Sequence, residues 1–493
     1  MPPIPFNDVP ANLRINGTFI EFDNSLANNA SPNFKVLVIG QRLATGTVAE
    51  AVATRVNTDD QAEEYWGRGA MLAEEVKAIK YAEQFMETWG IALDENAAGA
   101  AAAGTITATG DATGSGTLAI YIGGKKVLVG IASGDTDDEI AIAIAAAITA
   151  DKTLSVDAVV NGVITNQVDL ICKWKGETGN DIDLRMNYYG EKTPSGVVMS
   201  FGDMAGGTTN PDITAVIAAI SSEWYNWIIM PFTDTANLVA LENELIKRFG
   251  PMQQMGCRAF AAYKGTHAAT GTYGNSRNCP HITSMGTNLS PEPPYIWAAV
   301  NGIIGAKSLA IDPARPLQTL TLPGLKAPAK EIRWEDTERN QLLYDGIATY
   351  TVASDGSVQI ERQITMYQLN AAGLADDSYL DINTPETLDR VRYEQRSMFG
   401  SKYPRHKLAE DTEEVAAGQP IMQPKIAIIE LLALYKEMQA KGWVQDYASY
   451  KETLFAEIGD GIGGGDRARL NWYGSPKLIG QHRVTAGHLE FRR

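Results

Sequence analysis

Cysteine is nearly missing from this chain: Cys172, Cys257 and Cys279 are the whole complement in 493 residues. So odd and sparse a set argues against a disulfide framework and points to a reducing compartment. Long apolar runs are missing as well. The longest, 140–148, is about half of the ~20 residues that a membrane-spanning helix requires, so no membrane insertion is expected. The opening Met-Pro-Pro-Ile-Pro-Phe-Asn-Asp lacks the basic start and apolar stretch of a secretion signal. Positive charge is short too, with 42 Lys and Arg against 59 Asp and Glu and a formal net charge of -17. A surface that acidic repels phosphate backbones, and direct nucleic-acid binding is not expected. Five histidines leave few bases for a hydrolase triad, and there is no Gly-x-Ser-x-Gly elbow.

What is present is globular in character, 44% hydrophobic and 20% charged, and long enough for several cores of about 100–200 residues each. Residues 1–32 read as an arm, because prolines at 2, 3, 5, 10 and 32 exclude a helix and only 17–23 is strand-like. Lys35-Val-Leu-Val-Ile-Gly40 has the pattern of a buried strand, and 59–89 carries helix-spaced apolar residues including Met71, Leu72, Val76 and Ile79. At Asn96 the composition changes. The alanine-rich 97–104 reads as a helix end or a joint, followed by Gly/Thr-rich strands, a Gly123-Gly124 hairpin turn and an Ala/Ile helix over 137–150. The α/β pattern resumes after Gly206-Gly207: Asn210-Pro211-Asp212 predicts a helix start, and 227–230 and 258–263 predict strands flanking a helix closed by Gly250. Beyond it come a hairpin around Ser354-Asp-Gly-Ser357, a helix from Thr384 ending at Gly400, a helix over 424–441, a helical stretch 447–458, and an extended tail.

Chemical motifs are weak. Gly459-x-Gly461-x-x-Gly464 matches a dinucleotide fingerprint literally, but such a site needs a strand before it and a helix after it, and a linker is the expectation. Gly302-Ile-Ile-Gly305-Ala-Lys307-Ser308 lacks phosphate-loop spacing and reads as a packed helix. Cys257, His267, Cys279 and His281 have no common zinc spacing. The acidic runs 135–139 and 410–414 read as helix starts or solvated faces, and the nine tryptophans are scattered as core anchors. No catalytic residue, metal or cofactor is expected. The termini stand out instead. Residues 466–493 hold six Lys and Arg against two Asp and Glu, whereas 1–32 hold Arg14 against Asp8, Glu21 and Asp23. Each end carries an extended, partly apolar segment, either an edge strand on its own core or a strand exchanged with a neighbouring subunit.

Most of the chain resembles the tail sheath proteins of contractile-tailed, Mu-like phages. The residues carrying this are Phe6-Asn-Asp-Val-Pro10 with Phe19-Ile-Glu-Phe22, Phe34-Lys-Val-Leu-Val-Ile-Gly40, Gly206-Gly-Thr-Thr-Asn-Pro-Asp212, Pro293-Pro-Tyr-Ile-Trp-Ala-Ala-Val-Asn-Gly302 with Asp312-Pro313, and 476–491. The block 95–207 departs most from the family. The resemblance implies a multidomain α/β and α+β protein. Its parts would be an N-terminal arm (1–32), an α/β core (33–94 with 208–365), an inserted β-rich outer domain (95–207), a C-terminal α+β domain facing the tube (366–476) and a C-terminal arm (477–493). It implies self-association as helically stacked hexameric rings around a tail tube protein, with baseplate and terminator proteins as partners, and contraction that drives the tube through the host envelope. Assembly would take place in the host cytoplasm, ending in the virion. The residues expected to join subunits are Phe19, Ile20, Glu21 and Phe22 of one arm, and Leu478, Ile479, Arg483, Val484, Leu489 and Phe491 of the other. The inserted block is expected to be dispensable. Two other classes are a carboxylate-based hydrolase such as a glycosidase and a non-contractile virion binding module.

Overall fold

The computed structural model describes residues 34–416, 418–460 and 466–492. Phe19, Ile20, Glu21 and Phe22, with the rest of the N-terminal arm, lie outside the described residues, as do Gly461 and Gly464. The described chain opens with strand β1 (Lys35–Gln41), buried beyond its first residue, and β2 (Thr54–Val56). Helix α1 (Asp59–Trp66) is capped by the Thr58 hydroxyl, which accepts from the Gln61 N–H, with Asp59 and Asp60 in its first turn. Then come α2 (Met71–Ala82) and β3 (Glu87–Leu93). The helix-spaced stretch 59–89 therefore splits. Gly67 and Gly69, at φ +95° and +81°, reverse the chain between the helices, and Trp89 belongs to a strand.

Residues 101–205 form β4 (Ala101–Thr109), β5 (Gly116–Ile122), β6 (Lys125–Ile131), α3 (Asp137–Ala150), β7 (Val156–Val160), β8 (Gln167–Lys175), β9 (Leu184–Met186) and β10 (Val198–Ala205). The alanine-rich start is thus a strand and not a helix end or joint. Its small side chains alternate in burial between β10 and β8, and at Gly104 a Cβ would lie 2.7 Å from the Met204 sulfur. Gly123 and Gly124 both have positive φ, the tight turn a two-residue hairpin needs. The sheets run β10-β4-β8-β7 and β6-β5-β9. A bridge between Ala100 and Thr208 brings the two ends of this block together.

The chain continues with α4 (Thr214–Ala219), β11 (Trp227–Ile229), α5 (Thr235–Phe249), β12 (Arg258–Tyr263), α6 (His267–Asn275), β13 (Ile282–Gly286) and α7 (Pro294–Ile311). Asn210-Pro211-Asp212 does not open a helix, which begins only at Thr214. Asn210 instead accepts from the Glu177 N–H and donates to Asp234, and the Pro211 carbonyl accepts from Asn237, so these polar groups tie the loop to α5. The main sheet runs β13-β12-β11-β1-β3-β2, parallel except for β2. One face buries Val36, Val38, Trp227 and Phe260 with Val76 of α2 and Trp297 and Ile303 of α7. On the other face, Leu37, Ile39 and Ile91 share one apolar cluster with Ile106, Leu170 and Trp174 of the 101–205 block. Strand–helix alternation around a mostly parallel sheet makes this an α/β layer.

Helix α8 (Asp336–Tyr344) and the hairpin β14 (Thr349–Val352) and β15 (Val358–Arg362) follow. Next come α9 (Asn383–Lys402), β16 (Lys407–Leu408), β17 (Ile421–Met422), α10 (Pro424–Ala440), β18 (Val444–Gln445), α11 (Tyr447–Thr453), β19 (Phe455–Ile458), β20 (Leu470–Tyr473) and β21 (Lys477–Leu478). Helix α9 runs through Gly400 to Lys402, since one glycine costs a helix only about 1 kcal/mol. The stretch read as helical over 447–458 divides into α11 and β19, and β19 pairs antiparallel with β20. Among the described residues the element that follows the glycine-rich motif is strand β20, where a dinucleotide site requires a helix.

Candidate inter-subunit interface

The C-terminal part is fastened to the α/β layer through α9. Arg258, fully buried at the start of β12, donates to Asp389 (2.5 Å) and to the Pro385 carbonyl (2.6 Å), with Glu386 3.7 Å away. Burial pushes the Glu386 carboxyl up to about 7 against the opposing pull of Arg258. Arg258 and Arg392 approach the Phe249 ring at 5.3 and 4.7 Å. Beyond α9 a separate apolar cluster holds Val391, Met398, Leu431, Leu434, Met438, Trp443 and Val444, with Tyr435 and Tyr450 stacked at 3.9 Å. On this base stand the hairpin β19–β20 and the C-terminal segment.

Among the described residues each strand of that hairpin pairs only with the other, and Phe455, Trp472 and Tyr473 are exposed on it. The sequence pattern runs β19 into the preceding helix and so hides this hairpin; the alternation Phe455-Ala456-Glu457-Ile458 is the signal that marks the strand. The C-terminal segment splits into two stretches of different character. Leu478 lies opposite Val444, the Ile479 N–H donates to the Trp443 carbonyl (3.1 Å), and Arg483, with 10% of its side chain exposed, donates to Asp381 (3.0 Å). Asp381 is shared with Arg362, also at 3.0 Å. Val484, Leu489 and Phe491 are 81%, 96% and 89% exposed. The C-terminal arm expected over 477–493 therefore yields strand only at Lys477–Leu478 among the described residues, and Leu478, Ile479 and Arg483 contact their own chain.

The model of the phage tail sheath protein central domain matches residues 206–366, and that of the phage tail sheath C-terminal domain matches 375–492. The Mu-like prophage FluMu tail sheath protein of Haemophilus influenzae is 42% identical over 491 residues, covering 99% of each chain. The chain belongs to the phage tail sheath family. Solved sheath structures overlay more loosely on this sheath protein. One from Desulfitobacterium hafniense has a TM-score of 0.47 at 14% identity over 94% of this chain and 100% of that one. The anti-feeding prophage helical sheath in its contracted state has 0.46 at 11%, over 97% and 99%.

The remaining motifs of the sheath protein have structural roles. Cys257 and Cys279 are buried, and burial raises both thiols to about 12; burial pushes His281 down to about 2. Among the described residues no group of three His, Cys, Asp or Glu is placed to hold a metal. The run 135–139 supplies the α3 capping box, in which Thr136 and Glu139 bond reciprocally. The α9 carboxylates Glu386 and Asp389 both face the buried Arg258, which occupies them as ion-pair partners.

Proposed function

We propose that this protein polymerises as stacked hexameric rings around a tail tube protein, between baseplate and terminator proteins, and contracts to drive the tube through the host envelope. The observation that carries the reading is an exposed C-terminal tip with alternating Leu489 and Phe491, on the same small unit as a hairpin whose two strands, among the described residues, pair in a sheet only with each other. Unpaired edges are templates for strand addition, and a chain end with one apolar face is what such an edge accepts. We assign the tip of one copy to the β19–β20 hairpin of another, and the acidic N-terminal strand region with Phe19, Ile20, Glu21 and Phe22 to the same kind of exchange. Contacts that do not close on themselves propagate as a helix. Main-chain linkage then keeps subunits joined while their bodies move between two packings, the extended one metastable and no nucleotide consumed.

Residues 366–476 are assigned to the tube side and 95–207 to the outside. The inserted block is not dispensable in this reading, because its interior is continuous with the face of the main sheet bearing Leu37 and Ile39. Assembly is assigned to the host cytoplasm. Backbone hydrogen exchange of free and polymerised protein tests the strand addition. Amides of Phe455–Ile458 or Leu470–Tyr473 should gain protection on polymerisation; equal exchange in the two states would remove the hairpin as acceptor.

A further inference from the structure

We propose that the C-terminal segment is divided at Arg483. Residues 477–483 remain with the subunit that carries them throughout assembly, and only the chain from Val484 onward crosses to a second copy. This rests on the reading of the protein as joined by exchanged arms.

The root is held from three directions. Strand β21 pairs with β18, Gln445 donates to the Leu478 carbonyl (2.9 Å), and the Lys477 N–H donates to the Tyr435 hydroxyl (3.2 Å). Gln481 reaches the Ala314 carbonyl beyond α7 (3.4 Å). Arg483 closes the root on Asp381, in the stretch leading into α9. Its guanidinium is nine-tenths out of water, so withdrawing it would cost a charge-assisted bond and leave Asp381 to Arg362 alone.

Connection length separates root from tip. Strand β20 ends at Tyr473 and β21 begins at Lys477, leaving 474–476 between them. A link that short spans about 14 Å at most from Tyr473 to Lys477, and it is pinned where Gly474 packs against Tyr450 and Leu454. It cannot carry β21 into a neighbour while β20 stays at home. Past Arg483 the situation reverses. Among the described residues the side-chain bonds of the tip stay within it or reach back to its base, His488 to Glu490 and His482 to Thr485, and its apolar residues face solvent. The described tip, 484–492, reaches roughly 30 Å when extended. Arg483 is thus the fixed end of a tether whose other end seats in the next copy, so subunit rotation is absorbed between Val484 and Gly487 and the root pairing is undisturbed.

The test places a cysteine pair across the root on its solvent side, Gln445→Cys with Lys477→Cys, which lie opposite each other in the ladder. The native thiols are buried and do not compete. Oxidised as free protein, the pair should crosslink within the chain; no crosslink there would overturn the root pairing. Polymerised while reduced and then oxidised, it should still run as a single chain on a non-reducing gel. A ladder of covalent oligomers would overturn the boundary at Arg483. A companion chain ending at Arg483 should melt as the full chain does and form no tubes. Tubes from it would overturn arm exchange itself, whereas a root ladder with a tubeless truncation leaves exchange standing and moves only the boundary.

Discussion

Replacing Leu489 and Phe491 together by alanine separates folding from assembly. Both side chains are almost fully exposed in the single chain, at 96% and 89%, so their removal takes nothing from its core. Burying a leucine or phenylalanine side chain contributes about 1.5–3 kcal/mol. Alanine keeps part of that and an interface buries less than a core, so about 2–4 kcal/mol is lost at each junction. In the proposed exchange each subunit donates one such tip, and a tenfold change in an equilibrium constant corresponds to about 1.4 kcal/mol. The critical concentration for polymerisation should therefore rise by between roughly 30-fold and 700-fold. Sedimentation of polymer over a concentration series reads this directly, with thermal melting of the free protein as the control. An unchanged critical concentration would refute the reasoning, and so would a melting point lowered by more than about 1 °C, since at about 2.1 cal/mol/K per residue that already corresponds to ~1 kcal/mol of fold stability in a chain of 493 residues.

Other perturbations address the body of the protein. Asp389→Ala leaves the fully buried Arg258 with Glu386 as its one neighbouring carboxylate among the described residues, and should cost about 3 kcal/mol in denaturant unfolding; a loss below about 1 kcal/mol would mean the pair is not formed. Glu75 is wholly buried with neither carboxylate oxygen bonded, and burial holds its carboxyl well above the usual range. The unfolded chain ionises first as pH rises, so the folded state loses stability from the ordinary glutamate value upward. Glu75→Gln should remove that loss, and melting curves of the two proteins that run parallel between pH 5 and 9 would contradict it. Gly302 of α7 faces Ile229 so closely that Gly302→Val should overpack the sheet by about 1–3 kcal/mol, read as a lowered melting point; an unchanged one would contradict the packing. Deleting 95–207 should give an aggregating chain through the uncovered face with Leu37 and Ile39, while a soluble, assembling product would show that face to be self-sufficient.

The parts of the fold legible in the sequence are those in which period and punctuation agree. Strand β12 and helix α3 fall on their expected bounds, the first an apolar run and the second opened by Thr136 with Glu139. Misreadings cluster where local chemistry serves a distant partner. Asn210 resembles a helix cap but bonds to Glu177 and Asp234, and Ala101–Ala103 resemble a helix end but fill the narrow space beside β8 and β10. In the interface, Leu489 and Phe491 were legible as an alternating apolar face. That Leu478, Ile479 and Arg483 contact Trp443, Val444 and Asp381 of their own chain was not, because those partners stand far away in sequence.

Electron microscopy of the purified full-length chain tests the central claim most directly. Above its critical concentration the protein should form tubes of stacked rings with helical symmetry, and the chain ending at Arg483 should not. Discrete single subunits at every concentration, or tubes from both chains, would contradict a sheath joined through its C-terminal tips.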